Sequence, residues 1–211
     1  MKTDDLISAI VEDGACRPSQ AVGIAGALAA GGAVATILFA LGLGVRPDIL
    51  GALQTWHFLL KLTIVLTCLA LALWACAQLA RPDANSRKVL AVLAAAPVLL
   101  AVAAAYELMT LPRDQWYAFA VGSNSRICLV AIPLLSVAPL VALLAALRAG
   151  APRSPPAAGA VAGLLAGVLA ATLYATHCVD DSPLFVALWY TPAIAFAAAL
   201  GAVAGHRMLR W

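Results

Sequence analysis

The stretch ICLVAIPLLSVAPLVALLAALR, residues 127–148, decides the fold class of this chain. Its single charged side chain is Arg148, at its end. A helix crosses about 30 Å of hydrocarbon with roughly 20 mainly apolar residues, and this stretch has that length. Its apolar residues are continuous, whereas the strands of a membrane barrel alternate apolar and polar residues. The stretch therefore predicts a membrane-spanning α-helix.

Five further stretches have the same character: 20–44, 55–80, 88–110, 157–176 and 184–205. The segments between them are short and carry the Pro, Gly, Asn and Arg residues that end helices. With 64% hydrophobic residues, 11% charged residues and a mean hydropathy of +0.97, the chain has more apolar surface than a soluble domain of 211 residues can bury. We predict an all-α polytopic membrane protein, with a bundle of six transmembrane helices over residues 20–211 and a separate N-terminal segment over 1–19.

The distribution of Lys and Arg predicts the orientation of the chain. If the N-terminus is cytoplasmic, the outer segments hold only Arg46, Arg113 and Arg126. The inner segments then hold nine basic residues: Lys2, Arg17, Arg81, Arg87, Lys88, Arg148, Arg153, Arg207 and Arg210. We therefore predict that both termini are cytoplasmic. The net charge of +3 is too small to indicate a nucleic-acid partner.

The segment THCVDDSP, residues 176–183, gathers reactive side chains in an otherwise apolar chain. In the predicted orientation it joins the fifth and sixth helices on the outer side. Cys128 lies at the outer start of the fourth helix, so Cys128 and Cys178 both face the extracytoplasmic compartment. They are the candidate sensing thiols.

Three interpretations of this thiol pair remain open. It forms a structural disulfide, because thiols outside the cytoplasm can oxidise and stay oxidised. It acts as a redox switch, in which oxidation changes the helix packing. Or it binds a soft metal ion, with further donors or thiol-tuning groups from His177, Asp180 and Asp181.

Two ionisable residues, Lys61 and Glu107, lie inside the predicted membrane region. Both are within about two turns of the outer ends of their helices, so their depths are similar. A Lys61–Glu107 pair is one prediction. The alternative is that Lys61 extends to the outer headgroups and Glu107 simply reaches the interface.

Residues 1–19 are predicted to form a cytoplasmic segment with a short amphipathic helix. This helix has one apolar stripe, formed by Leu6, Ile7, Ile10 and Val11. Its polar face is acidic and includes Asp4 and Asp5, whereas a membrane-surface helix favours Lys and Arg. A basic, groove-bearing cytoplasmic protein is therefore the better-matched partner. The alternative is that the segment packs on its own bundle.

Four segments carry a family resemblance: the start MKTDDLISAI, the run CLVAIPLLSVAPLVALLAALRAGAP at 128–152, YATHCVDDSPLFVALWY at 174–190 and the terminal GHRMLRW. They resemble the NrsF family of bacterial membrane anti-sigma factors. The resemblance extends over nearly the whole chain, in order. It implies a six-helix protein of the bacterial inner membrane whose cytoplasmic side holds an extracytoplasmic-function sigma factor inactive.

The resemblance also implies roles for particular residues. Members of the family resemble sensors whose two extracytoplasmic cysteines respond to heavy metals or oxidants, and these map by position onto Cys128 and Cys178. The matching DDLI segment implies that the sigma factor is contacted by Asp4, Asp5, Leu6 and Ile7. The zinc-binding motif of soluble anti-sigma factors is absent from the sequence, so we expect no resident cofactor and only a transient heavy-metal ion at the two thiols.

Two other classes of protein are alternatives. A small transporter or channel needs polar groups at mid-membrane, and the two available, Lys61 and Glu107, both lie toward one face. A thiol-disulfide oxidoreductase that uses a quinone usually needs two communicating cysteine pairs, and one outer pair is evident. The sequence contains no nucleophile–base triad and no phosphate loop, so we predict that the protein is not an enzyme.

Overall fold

The computed structural model describes residues 20–79, 86–150, 152 and 154–209. In these residues the regular structure is entirely helical. The long helical segments are span 1, Gln20–Gly42; span 2, Trp56–Leu79; span 3, Ser86–Leu93 followed by Ala95–Thr110; span 4, Ser125–Arg148; span 5, Pro155–Ala175; and span 6, which consists of Pro183–Phe185, a π-helical turn Val186–Tyr190, and Thr191–Met208. Three short elements lie between spans: Ile49–Ala52, the 3₁₀ turn Arg113–Gln115 and the helix Trp116–Val121.

Within the described residues, six helical segments are long and apolar enough to cross a membrane. This confirms the predicted all-α bundle of six spans. The predicted boundaries lie close to the observed ones. Span 5 begins at Pro155, before the predicted start at 157, because proline is well tolerated in the first turn of a helix.

The connection between spans 3 and 4 differs from the plain polar loop that the sequence predicts. It contains a 3₁₀ turn and the helix Trp116–Val121. Two indole groups hold this segment: Trp116 Nε1 donates to the carbonyl of Leu111 (3.1 Å) and Trp189 Nε1 donates to that of Ala120 (2.7 Å). These two hydrogen bonds attach the connection to the end of span 3 and to span 6.

Span 5 lies at the centre of the bundle and packs most extensively on span 6. Span 5 is the most buried of the six: 67% of its most apolar stretch lies inside the protein, against 22% for span 1. Glycines on both helices let the two backbones approach closely: a Cβ atom on Gly163 would lie 2.3 Å from the carbonyl oxygen of Ala197. Small residues at such contacts compensate for the weak hydrophobic drive between helices in lipid. Span 1 lies at the edge and packs mainly on span 4.

A single methyl group should distinguish the centre of the bundle from its edge. Gly163→Ala should destabilise the protein by about 2 kcal/mol, because the added Cβ collides with backbone that cannot move away. Gly26→Ala is the matched control, since nothing lies within 4 Å of its Cβ position and alanine favours a helix. The measurement is thermal unfolding of the purified variants in detergent. Equal melting temperatures for the two variants would contradict this packing.

Candidate functional site

The loop between spans 5 and 6, residues 176–182, organises one end of the bundle. We call it loop 5–6, and its end of the bundle the loop end. Loop 5–6 contacts the segment after span 1, the first turns of span 2, the last turns of span 3 and the residues before span 4. Because span 1 runs toward this end and span 6 runs away from it, residues 20 and 209 lie at the opposite end.

A carboxylate shared by two cations lies at the centre of the loop end. Lys61 is only 1% exposed, and its ammonium forms an ion pair with Asp181. Arg46 Nη1 lies 3.0 Å from Asp181 Oδ2. Both cations also donate to the backbone carbonyl of Cys178, Lys61 at 2.8 Å and Arg46 at 3.4 Å. In a weakly polar environment such charges are tolerated only when they are paired.

The predicted Lys61–Glu107 pair is therefore wrong. Lys61 binds Asp181 because loop 5–6 folds inward between the helix ends and brings this carboxylate to the ammonium. The alternative, in which Lys61 reaches the headgroups and Glu107 the interface, is also wrong, since the two residues are 1% and 2% exposed.

Glu107 instead caps the start of span 6. Its Oε2 atom accepts a hydrogen bond from Ser182 Oγ (2.6 Å) and another from the backbone N–H of Leu184 (2.9 Å). Ser182 Oγ also accepts from the N–H of Leu184, at 3.2 Å. The first backbone donors of a helix need such partners, and a carboxylate complements the positive end of the helix dipole.

The segment after span 1 is held by loop 5–6 through backbone and side chain. Gly44 follows the end of span 1 with a φ of +71°, which suits glycine, and its carbonyl oxygen lies 3.0 Å from His177 Nδ1. The N–H of Arg46 donates to the carbonyl of Thr176 (3.0 Å). Arg46 also makes a bidentate pair with Asp48, with both N–O distances 2.7 Å.

The ion pairs that Arg46 makes shift the pKa values of Arg46 itself and of Asp48. Hydrogen bonds to Asp48 and Asp181 raise the pKa of the Arg46 guanidinium above its usual range. The same guanidinium lowers the pKa of the Asp48 carboxyl. Both groups therefore stay charged at physiological pH.

Asp180 holds the start of span 4. Its Oδ2 atom accepts from the backbone N–H groups of Ser123 (3.1 Å) and Asn124 (2.9 Å), just before the helix begins. The same oxygen lies 3.9 Å from the sulfur of Cys178. Asp180 thus connects the start of the helix that carries Cys128 to the loop that carries Cys178.

The two candidate sensing thiols lie together inside this frame. Cys128 and Cys178 are free, fully buried and part of one apolar cluster with Tyr174, Phe185 and Tyr190. Burial raises the pKa of the Cys178 thiol, an effect that the nearby charge of Lys61 partly opposes. The Cys178 sulfur is therefore a neutral thiol at physiological pH in this conformation.

Comparison with known proteins adds an independent observation to this geometry. The family model NrsF, described as negative regulator of sigma F, matches residues 13–211. The chain belongs to the NrsF family. A protein of Azospira oryzae named probable anti-sigma-F factor NrsF is 36% identical over 216 residues, and the match covers all of both chains. No solved structure matches the chain. The resemblance read from the sequence is confirmed, and the family is one of regulators of transcription.

In this member of the NrsF family the predicted auxiliary residues of the thiol site all have other partners, and of the three only Asp180 also contacts the Cys178 sulfur. His177 contacts Gly44, Asp180 contacts the start of span 4, and Asp181 pairs with Lys61 and Arg46. Among the described residues, no group of three or more His, Cys, Asp or Glu side chains is arranged to hold a metal ion. The six leader residues that were predicted to contact a partner lie outside the described residues.

Several residues of the site were not identified from the sequence. Arg46 was counted only as an outer charge, although Asp48, two positions later, is a visible partner. Ser182 followed by Pro183 is a recognisable start of a helix, because serine caps and proline fits the first turn. The involvement of Ser123, Asn124 and Tyr190 had no signal in the sequence.

The shared carboxylate predicts a large effect at Lys61. Lys61→Met should destabilise the protein by about 3 kcal/mol, because Asp181 and the Cys178 carbonyl lose a buried cation. The loss is at the low end of the usual range since Arg46 still pairs with Asp181. Unfolding in detergent measures it, with the exposed Arg126→Met as the control. A similar small effect for both variants would show that the pair does not fix loop 5–6.

Proposed function

We propose that this protein is a membrane anti-sigma factor. It sequesters an extracytoplasmic-function sigma factor at the cytoplasmic face of the bacterial inner membrane, and releases it when Cys128 and Cys178 are metallated or oxidised. Family membership supports the regulatory role. The observation that carries the proposal is the buried pair of free thiols at the end of the bundle opposite residue 20.

The charge distribution supports an extracytoplasmic loop end. The outer segments contain three arginines, Arg46, Arg113 and Arg126, against nine basic residues on the inner side. Because inner segments are enriched in Lys and Arg, this distribution favours a cytoplasmic leader.

An open cavity at the loop end lies beside the loop that carries Cys178. It has a volume of about 370 Å³ and is lined in part by the polar residues Thr55, His57, Asp180, Asp181 and Ser182. Of its carboxylates, Asp181 is paired with Lys61 and Arg46, and Asp180 lies within 3.9 Å of the Cys178 sulfur. In the proposed mechanism, a thiophilic ion enters this cavity and reaches Cys178 only when loop 5–6 moves.

Modification of Cys178 disturbs the frame because the residue is tightly enclosed. Its side chain is fully buried, so a metal ion or a new covalent bond at sulfur requires the loop to move. The carbonyl of the same residue binds Lys61 and Arg46. Displacement of Cys178 therefore weakens the contacts that hold the two cations to loop 5–6.

Span 1 connects this event to the leader. Its end at the loop is held by His177 and Arg46. In the middle it approaches span 4 closely, since a Cβ on Gly31 would lie 2.5 Å from Cα of Pro139. Span 1 is otherwise largely outside the core. Loss of its attachment at the loop lets it tilt about this close contact and move the leader.

The energy required for such a switch is of an attainable size. A change in the bound fraction from 99:1 to 1:99 needs about 5.5 kcal/mol of differential coupling. Hydrogen bonds to charged groups contribute about 1.5–3 kcal/mol each, so loss of the several bonds around Asp181 can supply that amount. Lys61 and Glu107 are engaged by loop 5–6 at one end of the bundle, which favours this proposal over a transport pathway.

Co-purification of the membrane-extracted protein with cytoplasmic partners tests the proposal. The full chain should retain a sigma factor, and deletion of residues 1–15 should abolish retention. Cys128→Ser combined with Cys178→Ser should retain the sigma factor but no longer release it after cadmium or a thiol oxidant. Cys76→Ser is the control, because Cys76 is also buried but lies in a different cluster. Release from the double serine variant would contradict the sensor assignment.

The proposed route through span 1 predicts a second phenotype. Arg46→Gln combined with His177→Gln should weaken sequestration at least fivefold without any inducer, because the end of span 1 is no longer held. Arg113→Gln, an exposed arginine on the same side, is the control. The measurement is the fraction of sigma factor retained at equal amounts of folded protein. Wild-type retention and release in the Arg46 and His177 variant would exclude this route.

A further inference from the structure

A groove between spans 1 and 4 opens at the loop end of the bundle. It has a volume of about 830 Å³ and is lined by the last turns of span 1, around Gly42, and by a face of span 4 from Arg126 to Ala138. At its far end the two helices touch, since a Cβ on Gly31 would lie 3.0 Å from the carbonyl oxygen of Ala138. The groove is therefore a concavity in the membrane-facing surface, bounded by two helices.

The length of the groove matches one leaflet of a membrane. Arg126 and Ala138 lie on one helix, and their separation along its axis is about 18 Å. The hydrocarbon core of a bilayer is about 30 Å thick, so one leaflet spans about 15 Å. The groove residues Val130 and Leu134 are 66% and 67% exposed, so the protein itself leaves this apolar surface uncovered. A single extended acyl chain fits the groove when its headgroup lies at the loop end.

An unpaired cation lies at the mouth of the groove. Arg126 is the second residue of span 4, and it alone is charged among the described residues that line the groove. It is exposed and makes no hydrogen bond or ion pair within the described part of the chain. Arg46, at the same end, is by contrast paired with two carboxylates. A free guanidinium matches a phosphate group, which it can bind through two parallel N–H···O hydrogen bonds.

The charge has to provide the selectivity of such a site. Lipid tails are as apolar as the leucine and valine side chains of the groove, so an acyl chain alone gains little by entering it. We propose that the groove binds one anionic phospholipid from the leaflet at the loop end, with an acyl chain between spans 1 and 4 and the phosphate at Arg126. Phosphatidylglycerol fits better than phosphatidylcholine, whose ammonium group has the same sign as the guanidinium. The inference does not depend on the proposed function.

A lipid in this groove supports the least buried helix of the bundle. Span 1 is 22% buried and packs mainly on span 4, so a chain that contacts both helices adds to their association. A ligand that binds only the folded protein raises its stability. Phosphatidylglycerol should therefore raise the melting temperature of the protein in detergent more than phosphatidylcholine does.

Two substitutions separate the charge from the groove. Arg126→Gln removes the charge and leaves the groove open, so the preference for phosphatidylglycerol should fall about fivefold. Gly42→Leu should reduce retention of both lipids, because its Cβ position is open and the added side chain fills the groove. The matched controls lie outside the lining: Arg113→Gln is an exposed arginine at the same end, and Gly26→Leu is an equally open glycine of span 1.

Native mass spectrometry tests the inference on the full chain, released from nanodiscs with equal contents of phosphatidylglycerol and phosphatidylcholine. A phosphatidylglycerol with a photoreactive tail locates the site by crosslinking. One retained phosphatidylglycerol, crosslinks within residues 126–138 and the stated losses in the two variants, with wild-type retention in both controls, support the inference. Equal retention of both lipids by the wild type, crosslinks spread over all six spans, or an unchanged preference in Arg126→Gln would show annular lipid only and overturn it.

Discussion

The Asp181 carboxylate, shared by Lys61 and Arg46, is the interaction on which the rest of the loop end depends. Two cations at the end of an apolar bundle are stable only while an anion stays with them, because stranding a buried charge costs about 3–5 kcal/mol. Loop 5–6 must therefore fold inward. Once it does, Cys178 is buried, Asp180 reaches the start of span 4 and Ser182 reaches Glu107.

Because loop 5–6 folds inward, the thiol site is shielded from water and lies on the same loop that holds the end of span 1. The two cysteine side chains are fully buried and Cys178 is a neutral thiol, so the thiols are unreactive in the resting protein. The same loop that seals the thiols also holds the end of span 1 through His177 and Arg46. In the proposed mechanism, this shared loop links chemistry at sulfur to the helix that carries the leader, with no long chain of intermediate contacts.

The length and continuity of apolar stretches were sufficient to predict six helices, and counting spans correctly put Cys128 and Cys178 at one end of the bundle. Depth along the helices was not sufficient to pair Lys61, because the true partner comes from a loop that the sequence gives no reason to fold inward. The hydrogen bonds from Arg46 to Asp181 and the π-helical turn that ends at Tyr190 likewise depend on three-dimensional packing. Local patterns determined the helices, and non-local ion pairs determined the site.

The central claim is that the thiol site and the leader lie on opposite sides of the membrane. Labelling of intact cells with a membrane-impermeant maleimide tests it most directly. Val179 is 47% exposed beside the buried thiol, so Val179→Cys in a chain without other cysteines should label from outside. A variant that keeps only Cys16 should label only after the membrane is permeabilised. Labelling of Cys16 from outside, with protection of position 179, would contradict the account.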